Sequence, residues 1–382
     1  MNPVLVFFAL AAIVLTATIL VDRIALLKRI GTAALSILIA LVLSNLGVIP
    51  GVSPVYDFLV GQGVLAGIVL VLLNVNLTTV RDAGTPMIVA FVIACVASMV
   101  GTVIMASILH SSIGSETWKL AGQFTATYIG GGMNFAAVGR ELGTRSDLFS
   151  AGIAADVMVT AFWLVACLTI PEFFSRRRGP VETPRAQAAV AADESRPALD
   201  ILLGSSGRPM TLTDFAGLAT ITFGTMAVAE LLTTVWPVMP RVLWITTIAL
   251  VLAQVPLVRK FSGGVVIGNF LMLLFLASNG AKSVVSLIVE VGPAVFFFAA
   301  GNVAIHGIII FGLGLALRID PDVLSIASQS TVGGPTTAMA LAGSRRRSDL
   351  ILPGVISGLM GYALGNYAGI AIAHVVRGIV GG

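Results

Sequence analysis

Long apolar runs alternate with short polar breaks along almost the whole chain. We count twelve such segments, and most approach the roughly 20 residues that a helix needs to cross the hydrocarbon core of a bilayer. The pattern predicts an all-α polytopic membrane protein. The segments lie at approximately 3–21, 32–49, 58–78, 86–108, 118–142, 148–174, 213–235, 241–257, 264–280, 290–317, 322–342 and 350–376.

A polar stretch separates the first six segments from the last six. It opens with Arg176, Arg177 and Arg178 and continues with Pro, Ala and Glu, a composition typical of a flexible linker. The sequence therefore predicts three parts: a first transmembrane repeat at 1–175, a polar linker loop at 176–211 and a second transmembrane repeat at 212–382.

The two halves resemble each other at their fifth apolar segments. "YIGGGMNFAAVGRELGTRSDLF" in the first half matches "TVGGPTTAMALAGSRRRSDLIL" in the second, so that Gly130 and Gly131 align with Gly333 and Gly334. In each half a long apolar segment follows. Because internal repeats are common in transporters, this similarity predicts two structural repeats.

The relative orientation of the two repeats stays open at the level of sequence. Six crossings in each half would make the repeats parallel, whereas an inverted arrangement needs an odd number. Taking all twelve segments as crossings puts eleven basic residues on each side, which gives no orientation. Each half taken alone shows a bias of Lys and Arg to one side, which favours inversion and one segment that does not cross.

The glycine motifs predict two interrupted helices. A glycine run weakens a helix, and a proline such as Pro335 suits the first position of a new one. The carbonyl end of a half-helix attracts cations and the N–H end attracts anions. Matched interruptions in two repeats indicate a binding site, although small residues also serve close helix packing. The predicted substrate-binding residues are Gly131, Gly132, Met133, Asn134, Gly334, Pro335, Thr336 and Thr337.

Asp156 lies about two turns into an apolar segment with no cation nearby in the sequence. A carboxylate inside a membrane is costly, so it indicates a site for Na⁺ or for proton exchange. The alternative is a structural carboxyl group, and for the neighbouring hydroxyls and amides it is helix–helix hydrogen bonding. The predicted ion-binding residues are Asp156, Tyr128, Gly130, Asn134, Gln329, Ser330 and Thr331.

Composition agrees with a chain that is mostly surrounded by lipid. The 382 residues are 57% hydrophobic and 10% charged, with a mean hydropathy of +1.02. The net charge of +4 does not suggest nucleic acid, because excess Lys and Arg in a membrane protein usually lie in cytoplasmic loops. The chain has no GxSxG, HExxH or Walker motif and no histidine with metal-ligand spacing. We therefore expect no enzyme, no metal and no cofactor beyond a coupling ion.

Four pieces of the sequence carry a resemblance to a known family. "YIGGGMNFAAVGRELG", "AGIAADVMVTAFW", "QSTVGGPTTAMALA" and "LPGVISGLMGYALGNYAGI" resemble the DUF819 family of bacterial and plastid integral membrane proteins. That family looks like a distant member of the cation/proton antiporter and anion transporter clan, which includes the bile-acid:sodium symporters. The resemblance implies inverted repeats, panel and core domains, two crossing broken helices in the core and elevator-like alternating access.

The resemblance also places Asp156 where clan antiporters carry an acidic residue that binds Na⁺ or H⁺. Those antiporters often have a pair of polar or acidic residues there, whereas Ala155 precedes Asp156 in this chain. The resemblance therefore does not extend to a two-carboxylate exchange mechanism.

The sequence as a whole favours a secondary active transporter in the cell inner membrane (plasma membrane). We expect it to move a small organic solute, anionic or zwitterionic, coupled to Na⁺ or H⁺. The alternatives are a monovalent cation/proton antiporter and a non-transporting membrane scaffold or receptor. The expected partners are the solute, the lipid bilayer and a second copy in a homodimer, and no nucleic acid.

Overall fold

The described part of the chain is helical. The computed structural model describes residues 1–175, 208–283 and 285–380, so the predicted linker lies outside the described residues except for 208–211. Helix α3 contains a π-helical turn at Leu59–Gly63. The helices are α1 Pro3–Arg23, α2 Ala25–Asn45, α3 Pro54–Leu72, α4 Thr85–Ile113, α5 Thr117–Gly130, α6 Gly132–Glu141, α7 Ser146–Ser175, α8 Leu212–Val235, α9 Arg241–Ala253, α10 Gly264–Lys282, α11 Val285–Ala316, α12 Pro321–Val332, α13 Pro335–Ser344 and α14 Ile351–Val380.

Eight of the described helices are long and apolar enough to cross a membrane, and two further helices have shorter apolar stretches. Eight have at least 18 residues, namely α1, α3, α4, α7, α8, α10, α11 and α14, and α2 and α9 contribute shorter apolar stretches. Helices α5, α6, α12 and α13 have 14, 10, 12 and 10 residues. At about 1.5 Å per residue each of them, like the 13-residue α9, is shorter than the roughly 30 Å hydrocarbon core. Length alone therefore does not separate a crossing helix from a re-entrant one, and the contacts of the helix ends decide.

Helices α5 and α6 form a re-entrant hairpin, which we call hairpin 1. The backbone reverses at Gly131, whose φ of 74° favours glycine. Gln123 Nε2 on α5 donates to the carbonyl of Phe135 on α6 at 3.4 Å. Lys119 Nζ near the start of α5 donates to the carbonyl of Gly143 beyond the end of α6 at 2.9 Å. The chain therefore returns to the face from which it entered.

Helices α12 and α13 form a second re-entrant hairpin, hairpin 2, with its reversal at Gly334 (φ 84°). Arg345 Nε, just after α13, donates to Asp322 Oδ1 in the first turn of α12 at 2.8 Å. Arg347 Nη1 donates to Asp322 Oδ2 at 3.2 Å and also pairs with Asp320. The start of α12 and the end of α13 are thus held together by ion pairs.

The expectation of two crossing broken helices is therefore wrong, and segments 118–142 and 322–342 are not spans. A glycine break permits either continuation or reversal of a helix, and here the contacts between the hairpin ends determine reversal. With the shorter apolar helices α2 and α9 counted as crossings, four crossings precede hairpin 1 and nine precede hairpin 2 among the described helices. The two hairpins consequently enter from opposite faces. We call the face with Met1 and the open end of hairpin 1 face 1, and the other face 2.

Contacts at the helix ends agree with this chain path. Arg377, near the end of α14, stacks 4.8 Å from the ring centre of Trp118, at the start of α5, on face 1. Arg345 Nη1, at the open end of hairpin 2, donates to the carbonyl of Leu168 near the end of α7 at 3.0 Å, on face 2.

Helix packing divides the described helices into two groups. Helices α1–α3 pack with α8–α10, and α4–α7 pack with α11–α14. The contacts are matched between the first half of the chain and the second. Equivalent helices touch each other, α3 with α10 and α4 with α11. The contact of α1 with α10 has its counterpart in α3 with α8, and that of α5 with α14 in α7 with α12. Glycine allows the closest of these contacts. A β-carbon on Gly361 of α14 would overlap the carbonyl of Ile129 on α5, so α5 and α14 can approach this closely only without a side chain there.

Candidate functional site

The tips of the two hairpins meet at one side chain, Tyr362, in the middle part of α14. A β-carbon built on Gly131 would lie 3.4 Å from Tyr362 Cε1, and one built on Gly334 would lie 3.7 Å from its hydroxyl oxygen. The structure therefore brings the two predicted helix breaks to the same place, at mid-depth among the crossing helices. Tyr362 was not among the predicted site residues.

In hairpin 1 the predicted residue Asn134 fills the space between the two helices. Its Nδ2 donates to the carbonyls of Gly361 and Tyr362 on α14, at 3.4 and 3.2 Å. This bonding fixes the hairpin against α14 and uses the donor end of the amide. Gly132, at the start of α6, is exposed, whereas Met133 is half-buried.

Asp156 on α7 faces hairpin 1. Thr127 Oγ1 on α5 donates to Asp156 Oδ2 at 3.5 Å. The hydroxyl of Tyr128 interacts with the carboxylate of Asp156, although neither it nor Asp156 Oδ1 makes a hydrogen bond of ordinary length. Thr160 Oγ1 is buried without a hydrogen-bond partner. Thr160 lies one helical turn after Asp156, and Tyr128 is next to Thr127. The site thus places a carboxylate beside buried hydroxyl oxygens, the ligand type that hard cations prefer.

In hairpin 2, two of the predicted polar residues of α12 have hydrogen-bond partners for their side chains and the third has none. Ser330 Oγ donates to the carbonyl of Ala327 at 2.7 Å, and Thr331 Oγ1 donates to that of Ser328 at 2.8 Å, within α12. Gln329 is fully buried, yet neither its amide nitrogen nor its amide oxygen has a partner.

Helix α13 begins at this tip of hairpin 2. Pro335 is buried at its first position, and Thr336 is exposed. Thr337 is half-buried, and its Oγ1 donates to the carbonyl of Gly334 at 2.9 Å.

A buried chain of hydrogen bonds connects the two hairpins through α4 and α11. Ser98 Oγ donates to the carbonyl of Tyr128 at 2.9 Å and lies 2.9 Å from His306 Nδ1. His306 Nε2 lies 2.8 Å from Ser328 Oγ, to which Trp163 Nε1 donates at 2.8 Å. His306 thus lies between the two hairpins, a position that nothing along the chain indicates.

The open end of hairpin 1 is attached to the other helix group. Arg140 Nε donates at 2.8 Å to the carbonyl of Val60, within the π-helical turn of α3. The carboxylate of Glu141 accepts from the backbone N–H groups of Arg241 and Val242 at the start of α9, at 3.2 and 3.3 Å. An acidic group is favourable at a helix N-terminus. These contacts hold hairpin 1, which belongs to the group α4–α7 with α11–α14, against the group α1–α3 with α8–α10. They lie on face 1.

Among the described residues, no group of three or more His, Cys, Asp or Glu side chains is placed to hold a metal ion. Both cysteines, Cys95 and Cys167, are buried and free.

The apolar spans, the paired hairpins and the buried polar tips define a polytopic α-helical membrane protein. The chain belongs to the family described as "Protein of unknown function (DUF819)", whose model matches residues 5–379. It is also similar to the "Uncharacterized membrane protein YjcL" of Bacillus subtilis (strain 168), with 29% identity over 359 residues, 86% of each chain.

Proposed function

We propose that the protein is a secondary active transporter of a small organic anion or zwitterion, coupled to Na⁺ or H⁺. The observation that carries this proposal is the meeting of two oppositely inserted hairpin tips at Tyr362, surrounded by buried polar atoms without partners. Irregular backbone at membrane depth is tolerated against protein or a water-filled cavity, and paired interruptions are typical of transporter sites.

The coupling ion is assigned to the oxygen atoms around Asp156. An unpartnered buried polar group costs about 1–3 kcal/mol. Here Thr160 Oγ1 has no partner, and the Tyr128 hydroxyl and the Asp156 carboxylate interact without a hydrogen bond of ordinary length. A bound Na⁺, or a proton on the carboxylate, would offset that cost. Because this cluster touches Thr127 in hairpin 1, ion binding would also order the tip that faces the solute.

The solute is assigned to the starts of α6 and α13. The first N–H groups of a helix have no intrahelical partner and favour anionic groups. Both helices begin at the meeting point of the hairpins, and Gly132 and Thr336 at these starts are accessible. The proposal thus keeps the predicted substrate residues but places them on hairpins.

Inverted repeats, with panel and core domains, complete the proposal. Five crossings and one hairpin in each half give the odd number that inversion requires, and the matched helix contacts support the same relation. Helices α1–α3 and α8–α10 would form the panel, and the other helices, including both hairpins, the core. Elevator-like access would move the core against the panel.

The positive-inside rule then favours face 2 as the cytoplasmic face. Of the Lys and Arg residues in the described part of the chain, six fall on face 1 and eleven on face 2. The proposal includes a location in the cell inner membrane (plasma membrane). The six are Lys119, Arg140, Arg145, Arg241, Lys282 and Arg377.

Flux into proteoliposomes tests the function. We expect an imposed Na⁺ or pH gradient to drive uptake of organic anions or zwitterions from a metabolite mixture. Na⁺-driven proton movement without any solute would favour the cation/proton antiporter instead. Binding and flux that are indifferent to both gradients and to every solute would favour a scaffold or receptor.

The contact between hairpin 1 and the proposed panel gives a stability prediction. Arg140→Ala leaves the carbonyl of Val60 without its charged donor, so we expect a loss of about 1.5–3 kcal/mol in stability, measured as a lower Tm. Arg145→Ala, at the same open end, removes an ion pair to Asp147 from a side chain that is 56% exposed, which is worth about 0–1 kcal/mol. Equal Tm values for the two variants would contradict this account of the contact.

A further inference from the structure

The two hairpins close their inner spaces with different amides. In hairpin 1, Asn134 occupies the position next to Gly130, and its nitrogen is bonded to carbonyls of α14. In hairpin 2, the nitrogen of Gln329 and Thr337 Oγ1 both lie against Gly333, where a built β-carbon would overlap each of them. The Asn134 amide therefore holds hairpin 1 against α14. The Gln329 amide has no hydrogen-bond partner for either its nitrogen or its oxygen.

The surroundings of Gln329 indicate what would pair with it. Helix α13 begins beside it, and its first paired N–H belongs to Ala338, which donates to the carbonyl of Gly334 at 3.1 Å. The N–H groups of Thr336 and Thr337 precede this bond and point toward the N-terminal end of the helix. An anionic oxygen at this end would accept from the helix and from Gln329 Nε2. Gln329 Oε1 additionally requires a hydrogen-bond donor on the same molecule.

We propose that Gln329 and the N-terminus of α13 form a subsite for a carboxylate whose adjacent carbon carries a hydrogen-bond donor, as in hydroxy acids and amino acids. This inference rests on the proposed transport function and names the substrate class of the same site. A carboxylate without the adjacent donor would leave Gln329 Oε1 unpaired, and a site built on such a bond discriminates against analogues that lack the group.

Thermal shifts of the purified protein with two matched series test the subsite. The first series is propionate, lactate and alanine, and the second is succinate, malate and aspartate, each measured with and without Na⁺. We expect the hydroxyl or amino member of at least one series to raise the Tm more than the unsubstituted acid. Equal stabilisation by the unsubstituted acid, or no stabilisation by any member, overturns the inference.

Gln329→Leu separates recognition from a structural role. Replacing an unpartnered buried amide by an apolar side chain of similar size should leave the ligand-free Tm unchanged or raise it. The affinity for the preferred acid should fall at least about tenfold, and the preference over the unsubstituted acid should disappear. A lowered ligand-free Tm together with an unchanged preference would overturn the inference.

Gln123→Leu is the matched control in hairpin 1. This buried glutamine donates to the carbonyl of Phe135, so its replacement should lower the ligand-free Tm and keep the preference between acids. Gradient-driven flux of other solutes, with no preference in either series, would leave the transport function standing and remove only the subsite.

Discussion

Asp156→Asn is expected to reduce cation-driven flux in proteoliposomes by about a hundredfold or more. Asparagine keeps the size of the side chain but removes its charge. A unit charge pair 4 Å apart contributes about 4 kcal/mol at an effective dielectric constant near 20, and desolvation of the ion offsets part of it. The Asp156 carboxylate accepts a hydrogen bond from Thr127 in hairpin 1.

Asp57→Asn provides the control for Asp156. Its side chain is 71% exposed and pairs at 3.5 Å with Lys282, so neutralising it should change flux little. The decisive readout is the dependence of initial rate on Na⁺ concentration and on pH. Asp156→Asn with wild-type flux and wild-type ion dependence would remove Asp156 from the ion site.

Gly361→Ala is expected to destabilise the protein by about 3 kcal/mol and to weaken solute binding with it. The added β-carbon would overlap the carbonyl of Ile129, which is backbone and cannot rotate away. Hairpin 1 would have to separate from α14, which also breaks the bonds from Asn134 to Gly361 and Tyr362.

Gly378→Ala is the matched change on the same helix. A β-carbon on Gly378 meets nothing within 4 Å, so alanine should be neutral or stabilising by up to about 1 kcal/mol because of its better helix propensity. The comparison is a melting experiment in one detergent. Similar Tm values for the two variants would show that the contact between α5 and α14 is looser than described.

The sequence predicted the crossing helices well because hydrophobicity and length determine them directly. Segment 86–108, for example, corresponds to Thr85–Ile113. The prediction from sequence failed at the two hairpins, because a glycine break has the same sequence pattern whether the helix continues or reverses. The reversal depends on distant pairs such as Lys119 with Gly143 and Arg345 with Asp322. The bias in Lys and Arg was the sequence signal that one segment does not cross.

The site residues also divide into those that the sequence reveals and those that depend on tertiary contacts. The glycine breaks and Asp156 are recognisable because each is anomalous in an apolar segment. Tyr362 is an ordinary membrane residue until two hairpins meet on it. The different roles of Asn134 and Gln329 depend on which carbonyls lie nearby, and only tertiary structure determines that.

The most direct test of the central claim is cysteine labelling from the two faces of the membrane. Arg145→Cys reports the open end of hairpin 1 and Ser344→Cys that of hairpin 2, in a chain whose buried Cys95 and Cys167 are replaced by alanine. Two re-entrant hairpins after four and nine crossings predict that a membrane-impermeant reagent labels these two positions from opposite faces. Labelling of both from the same face, as two crossing broken helices require, would contradict the account.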